Sequence, residues 1–420
     1  VPAPPASSVV GLVCPACGVG YRESATNPRC RCGSLLDLEV PPPSLTGAEL
    51  RSRFEARLTG RDIADVSGVW RYRELVVPQI PDSPISYPEG NTPLIASDAI
   101  ARWTGTDRLA LKHEGQNPTG SFKDRGMTVG MTQAVRLGAR GVTCASTGNT
   151  AASLAAYAAH AGLPALVLVP AGRVTPEKLA QSAAYGAQTV ALRGDFDRCL
   201  ELVEQAADRF GLYLLNSVNP YRIAGQQTII FELLHQRRWD PPDWIVFPAG
   251  NLGNTTAFGR ALVASHRAGL ISRIPRLAAV QAEGAAPFAH SYAAGFTPLE
   301  PVVADTVASA IRIGNPASFD RAVRAIRATN GLVTTVTDRE ILEAKAVVDR
   351  AGVGCEAASA AAVAGVRRLR RESVIGDGDS VVAVLTGHLL KEPLAAATAR
   401  DSRAVEIDGR LDEIEAILDR

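Results

Sequence analysis

The chain has 420 residues, enough for two or three domains at roughly 150 residues each. With 44 Lys and Arg against 43 Asp and Glu its net charge is +1. It lacks the basic excess that a phosphate backbone or an anionic membrane selects, so neither nucleic acid nor a membrane is expected as a partner. A 46% hydrophobic content with only seven cysteines excludes a disordered chain and a disulfide-built scaffold.

Along the chain, Val1 to Val10 is rich in Pro and Ser, with no basic segment leading into an apolar one. No secretory signal is therefore expected, and the protein reads as cytoplasmic. Next come Cys14-Pro-Ala-Cys17 and Cys30-Arg-Cys32, two tight pairs of the kind that present four thiolates to one tetrahedral zinc. Gly18 and Gly33 follow the pairs, where knuckle turns favour glycine. Residues 10–40 are thus expected to form a zinc-ribbon-like module whose ion is structural, since four cysteines leave no open coordination position. Cys144, Cys199 and Cys355 stand among apolar residues and read as buried small hydrophobes.

Residues 41–88 read as a linker with short helices: Pro41-Pro42-Pro43, a charged helix over Gly47 to Arg57, then a second Pro-rich stretch. From residue 89 strands alternate with helices. Strands are expected at Leu109–Lys112, Val142–Ala145, Ala165–Val169, Thr189–Leu192, Trp244–Phe247, Ala278–Gln281 and Val381–Leu385. Helices are expected at Ser121–Leu137, Thr150–Ala161, Phe196–Phe210, Ile223–His235, Thr255–Gly269, Asp338–Ala351 and Ala357–Leu369. The alternation predicts an α/β fold of parallel sheets covered on both faces. Residues 141–172 contain no Asp, Glu, Lys or Arg, but Asn149, His160, Pro164 and Pro170 interrupt them, which favours a buried strand–helix–strand over a membrane span. A tail helix is expected at 397–420, where Ile407, Leu411, Ile414 and Leu418 recur near helical spacing.

Four motifs carry chemistry. In Asn117-Pro-Thr-Gly-Ser-Phe-Lys123-Asp-Arg-Gly126 a turn enters a helix with Ser121 as the expected N-cap, placing Lys123 where the helix dipole disfavours an ammonium. Such a lysine is an amine nucleophile. Ser146-Thr-Gly-Asn149-Thr150 opens an Ala-rich helix with hydroxyls and an amide suited to a carboxylate. Pro248-Ala-Gly250-Asn251-Leu252-Gly253-Asn254 is a second strand-to-helix turn whose glycines admit a phosphate, though it is neither of the nucleotide-binding glycine patterns. Thr386, in Leu385-Thr-Gly-His388, ends the last strand, where parallel sheets line their ligand crevice, and His388 reads as structural. A lysine, a phosphate loop and a strand-end hydroxyl together point to pyridoxal phosphate.

These segments resemble the fold-type II pyridoxal phosphate enzymes, and among them the threonine synthase family. The resemblance runs from Glu89 to Pro393 and includes NPTGSFKDRG at 117, STGNTAAS at 146, SVNPYRIAGQQT at 217, PAGNLGN at 248, AIRIGNPAS at 310 and LTGHLLKEP at 385. It implies two parallel-sheet α/β domains with the cofactor in the cleft, a catalytic body at 89–396 with a smaller sub-domain at roughly 115–215, and a homodimer. Lys123 would form the Schiff base and move protons. Asn149 would bond the ring hydroxyl, the backbone of Gly250, Asn251, Leu252, Gly253 and Asn254 the phosphate, and Thr386 the pyridine nitrogen. Ser146, Thr147 and Thr150 would hold the carboxylate of a small phosphorylated amino acid, and Ser217, Arg222 and Asn251 its phosphate. The implied reaction turns O-phospho-L-homoserine and water into L-threonine and phosphate. The family usually reads GQKT where Gly225-Gln226-Gln227-Thr228 stands, TGHG where Leu389 closes the last motif, and CEPAS where Cys355-Glu356-Ala357-Ala358-Ser359 stands. Those departures leave two alternatives, cysteate synthase or another replacement reaction on a phosphorylated amino acid, and a non-catalytic regulatory paralogue.

Overall fold

The computed structural model describes residues 10–79, 81, 83–171, 176–193, 196–392, 408 and 414. Apart from residues 408 and 414, the expected tail helix lies outside the described residues.

At the N-terminal end β1 (Gly11–Val13) pairs antiparallel with both β2 (Gly20–Tyr21) and β3 (Asp37–Glu39). Gly18 and Gly33 take φ of 74° and 90°, the left-handed region that glycine enters without strain. Their N–H groups donate to the carbonyls of Cys14 and Cys30 at 2.9 and 2.8 Å, closing the two expected knuckles. The module is sewn to the body. Leu12, Leu36 and Leu38 share a core with Phe258 and Ala322, while Arg260 and Arg321 each reach Asp37 at 3.0 Å.

The body has two sheets. After β4 (Leu94–Ile95) and β5 (Leu109–His113) the chain crosses to a four-stranded parallel sheet. That sheet comprises β6 (Gly141–Ala145), β7 (Ala165–Pro170), β8 (Gln188–Leu192) and β9 (Leu212–Leu214), in the order β8-β7-β6-β9. It then returns with β10 (Trp244–Pro248), β11 (Arg276–Ala282), β12 (Leu332–Val336) and β13 (Val381–Leu385) to a six-stranded sheet ordered β12-β11-β10-β13-β5-β4, parallel except for β4. Every residue of β6, β10 and β13 is buried, as expected of apolar runs covered on both faces. The seven strands expected from the sequence are present within two residues of their expected ends, whereas β4, β9 and β12 are not among those expected.

Two helices depart from expectation at the crossovers. The helix expected at Ile223–His235 starts earlier and is split into Pro220–Gln226 and Thr228–Gln236. Asn219 caps the first piece, its side chain accepting from the N–H groups of Tyr221 and Arg222, with Pro220 pre-set for the first turn. Ser121 is not an N-cap. The helix begins at Lys123, and Ser121 instead pairs as an antiparallel bridge with Gly387. The Phe122 N–H donates to the Thr386 carbonyl at 3.0 Å, and the His388 N–H to the Gly120 carbonyl at 2.9 Å. This sewing fixes Lys123 beside the end of β13.

Candidate active site

A cavity of ≈ 430 Å³ opens between the two sheets. Lys123, Ser146, Thr147, Asn149, Thr150, Ser217, Gly250, Asn251, Leu252, Gly253, Asn254 and Thr386 all line it, so residues spread over more than 260 positions of sequence meet at one place.

Lys123 is the first residue of its helix, with Nζ 4.1 Å from the centroid of the Phe122 ring. Its ammonium is destabilised to a pKa of about 7, chiefly by burial and then by the charge of Arg222, with Glu356 opposing. The direction matches the sequence expectation, and enclosure is the largest of the causes. The turn ahead of it is locked by Asp124. That carboxylate accepts from the Thr119 N–H at 2.7 Å, the Thr119 hydroxyl at 2.6 Å and the Ser153 hydroxyl at 2.5 Å, joining the Lys123 helix to the Asn149 helix.

Glu356, which the sequence marks only as one letter of a departing motif, sits at the heart of the cavity. It is 2% exposed and accepts from Asn149 Nδ2 at 2.9 Å, with the Thr386 hydroxyl at 3.4 Å. Burial, reinforced by Glu392, raises its carboxyl to a pKa of about 7. The bond fixes the orientation of the amide and uses one Nδ2 hydrogen, leaving the second for a ligand. Thr386 is braced in turn by Ser359, 3.0 Å away. A Cβ on Gly387 would stand 2.4 Å from the Glu356 carboxyl carbon, so only glycine leaves this carboxylate its place.

On the opposite side Leu252 adopts φ of 62° to turn the chain into the helix Gly253–Arg267. Gly250 is pressed against Ile311, whose Cα would lie 2.9 Å from an added Cβ. Around this turn Gln226 Oε1, Asn254 Oδ1 and Thr255 Oγ1 are buried without a hydrogen-bond partner among the described residues. Of these the Thr255 hydroxyl can donate, and an unused donor beside the free N–H groups of a helix start is what a bound phosphate would satisfy. The set fits pyridoxal phosphate: a deprotonatable lysine, a phosphate cradle, an oriented amide and a braced hydroxyl.

The expected substrate residues divide. Ser217 and Asn251 come together, Asn251 Nδ2 donating to Ser217 Oγ at 2.5 Å, while Asn251 Oδ1 accepts from the Ala317 N–H at 2.6 Å. Arg222 is not among the residues that line the cavity. It is fully buried beneath the Lys123 helix, where Gly126 and Gly130 make room for it, and Nη1 donates to the Leu215 carbonyl at 3.0 Å, while Nε and Nη2 have no partner among the described residues and its charge is felt at Lys123. Gln227 and Leu389 are not at the cavity wall either. Gln227 is buried behind Gln226, and Leu389 packs on Gly354 while Leu390 faces the cavity. His388 is structural as expected, its Nδ1 accepting from the Leu390 N–H at 3.1 Å. Cys144, Cys199 and Cys355 are fully buried.

Away from the cavity, the sulfurs of Cys14, Cys17, Cys30 and Cys32 all lie within 4.8 Å of one another. The closest pairs are Cys14–Cys32 at 3.5 Å and Cys17–Cys30 at 3.6 Å. A tetrahedral zinc with sulfurs at about 2.3 Å needs them about 3.8 Å apart, so the cluster has the right size. Among the described residues no helix is long and apolar enough to cross a membrane.

The sequence profile of the family described as "Pyridoxal-phosphate dependent enzyme" matches residues 85–387. A threonine synthase of Methanosarcina acetivorans is 42% identical over 406 residues, covering 96% of this chain and 97% of the relative. One of Methanocaldococcus jannaschii is 40% identical over 96% and 98%. One of Mycobacterium tuberculosis is 45% identical over 74% and 84%. Among solved structures, the threonine synthase of Escherichia coli superposes with a TM-score of 0.73 at 18% identity, covering 96% of this chain and 94% of that one. Maize serine racemase gives 0.64 at 22% identity, covering 84% and 97%. At these identities the structural matches speak for the fold.

Proposed function

Because the chain belongs to the pyridoxal-phosphate dependent enzymes, and within them to the threonine synthase family, we propose that it converts O-phospho-L-homoserine and water to L-threonine and phosphate. The observation that carries this reading is the meeting of Lys123, the Gly250–Asn254 turn and two separate sets of anion-binding hydroxyls around one cavity. A substrate with a carboxylate at one end and a phosphate at the other needs two such sets.

Gly250 to Asn254 would hold the phosphate of pyridoxal phosphate and Asn149 and Thr386 its ring, and the group would supply an electron sink for carbanions next to the amino group. The chain's own residues do the rest. Lys123, whose pKa burial lowers to about 7, has a large share of its amine unprotonated at physiological pH, so it would hold the cofactor and carry protons from and to the α- and β-carbons of the substrate. Ser146, Thr147 and Thr150, at the start of the Asn149 helix, hold the carboxylate. Ser217 and Asn251 hold the phosphate that leaves the γ-carbon, after which water adds at the β-carbon. Glu356 fixes the Asn149 amide through one Nδ2 hydrogen, and the second would be available to the ring oxygen of the cofactor. Cys14, Cys17, Cys30 and Cys32 hold a structural zinc, supported by their mutual distances and by the closed donor set.

In this reading residues 10–40 are the metal module, 41–88 a linker, 89–396 the catalytic body with its smaller sub-domain at roughly 115–215, and 397–420 a tail. The enzyme works in the cytoplasm as a homodimer. The test is mass spectrometry of the products from O-phospho-L-homoserine. Threonine and phosphate should form with the wild type and not with Lys123→Ala. Turnover of phosphoserine with sulfite in their place would assign the cysteate reaction.

A further inference from the structure

The four-cysteine module touches both helices that flank the cavity, each through a different segment. We propose that it is a strap across the site: Glu23 grips the Lys123 helix and Asp37 the helix that begins in the Gly250–Asn254 turn, so that metal at the four cysteines sets how firmly the cofactor is held. This assignment rests on the metal proposed above and not on the substrate.

Glu23 lies between the two cysteine pairs. Its carbonyl accepts from Gln133 Nε2 at 3.0 Å and from the Tyr221 hydroxyl at 2.9 Å, and its carboxylate is 2.8 Å from Arg136 Nη2. Gln133 and Arg136 belong to the last turn of the Lys123–Arg136 helix, and Tyr221 to the Pro220–Gln226 helix. Those two helices meet backbone to backbone, since a Cβ on Gly225 would lie 2.0 Å from the Arg125 carbonyl oxygen. A hold on Tyr221 is therefore a hold on the same unit.

Asp37 starts β3, beyond the second cysteine pair. It lies 3.0 Å from both Arg260 and Arg321 and 3.3 Å from Arg324, while Arg260 and Arg321 also donate to the carbonyls of Leu38 and Leu36. Arg260 stands about two turns along the helix Gly253–Arg267, and Arg321 on the helix Phe319–Ala328 that packs against it at Gly259 and Ala325. The two arms are joined through the module, whose three strands have only two or three residues each. So small a core keeps its arms in register only with the ion in place. The strap then fixes the lysine helix against the phosphate turn, and both must reach one cofactor molecule.

The experiment uses the full-length holoenzyme as purified, after chelation and after zinc is restored, for the wild type, Gln133→Met/Tyr221→Phe and Asp37→Asn. It reads zinc by elemental analysis, the apparent dissociation constant of pyridoxal phosphate by visible absorbance, and amide hydrogen exchange helix by helix. In the wild type, chelation should weaken cofactor binding about tenfold, the loss expected of two hydrogen bonds, and zinc should restore it. Exchange should rise in Lys123–Arg136 and Gly253–Arg267 but not in the helix Ala357–Arg371, which makes no bond to the module among the described residues. Gln133→Met/Tyr221→Phe should keep its zinc, bind the cofactor about tenfold more weakly from the start, and respond to chelation by less than about twofold. Linkage demands the converse, that removing the cofactor from the wild type weaken zinc binding by the same factor. A wild-type affinity unchanged within about twofold on chelation would overturn the strap, as would an equal response in the wild type and the double variant. Faster exchange throughout the chain would overturn it too, because the ion would then only stabilise the fold. If the double variant does not fold, Asp37→Asn weakens the other arm and is judged by the same numbers. A protein that binds no zinc would refute the metal and the strap together. No substrate enters these measurements, so a failure to form threonine leaves them unaffected.

Discussion

The Lys123 helix is held to the large sheet by a buried cluster of four charges, and removing one of them should be costly. Arg125 donates to Glu114 at 2.6 and 2.8 Å and to Glu232 at 2.7 Å, and Lys112 on β5 reaches the same Glu232 oxygen at 2.6 Å. Thr92 and Asn91 add N–H bonds to Glu232 at 3.0 and 2.8 Å. All four charged side chains are 2% exposed or less. Two cations and two anions balance. Although burial opposes it, Arg125 and Lys112 hold the Glu232 carboxyl well below its ordinary range. Glu232→Gln keeps the shape and leaves one unbalanced buried cation, which costs about 3–5 kcal/mol. With an unfolding entropy of about 2.1 cal/mol/K per residue, cooperative melting of the chain converts this to a drop of about 3–6 °C in Tm. The assay is thermal unfolding of Glu232→Gln, Lys112→Met and the double variant. The double variant restores neutrality around the bidentate Arg125–Glu114 pair, so it should be more stable than the sum of the singles by about 2 kcal/mol. A Glu232→Gln shift below about 1 °C, or strict additivity, would show that the cluster is not a charge-balanced unit.

Two further outcomes follow from the site and the metal module. Lys123 has its pKa lowered from 10.5 to about 7, so its cost to the cofactor-free protein is fully present below pH 7 and disappears as pH rises toward 10.5. Lys123→Ala should therefore stabilise the cofactor-free protein most on the acid side, with the gain fading through that window. A gain that does not vary with pH in thermal unfolding would contradict the burial argument. The purified protein should carry one zinc per chain by elemental analysis. Stripping it with a chelator, or Cys14→Ser, should make residues 10–40 susceptible to protease before the body, because the ion supplies folding energy to a module with only three short strands. A metal-free protein whose module resists protease equally would refute this.

What the sequence disclosed follows from how local each signal is. The buried strands were legible because a short apolar run bounded by glycine or proline is itself the strand. β9, with three residues, and β12, an edge strand with Thr334 and Thr335 half exposed, give no such run. The glycine turn and Lys123 were found from their own neighbours. Glu356 was not, because its meaning lies in Asn149, 207 positions away, and in the emptiness of Gly387. Arg222 is the converse case. Its motif is intact, but the glycines that let it sink under a helix belong to another segment, so its burial is not written in the motif.

The most direct test of the central claim is O-phospho-L-homoserine turnover in water labelled with heavy oxygen. Cleavage at the γ-carbon with addition at the β-carbon places the label in the hydroxyl of threonine and leaves the released phosphate unlabelled. Labelled phosphate with homoserine as the product would mean simple ester hydrolysis. That result would contradict the roles assigned to Lys123, Glu356 and the two anion sites.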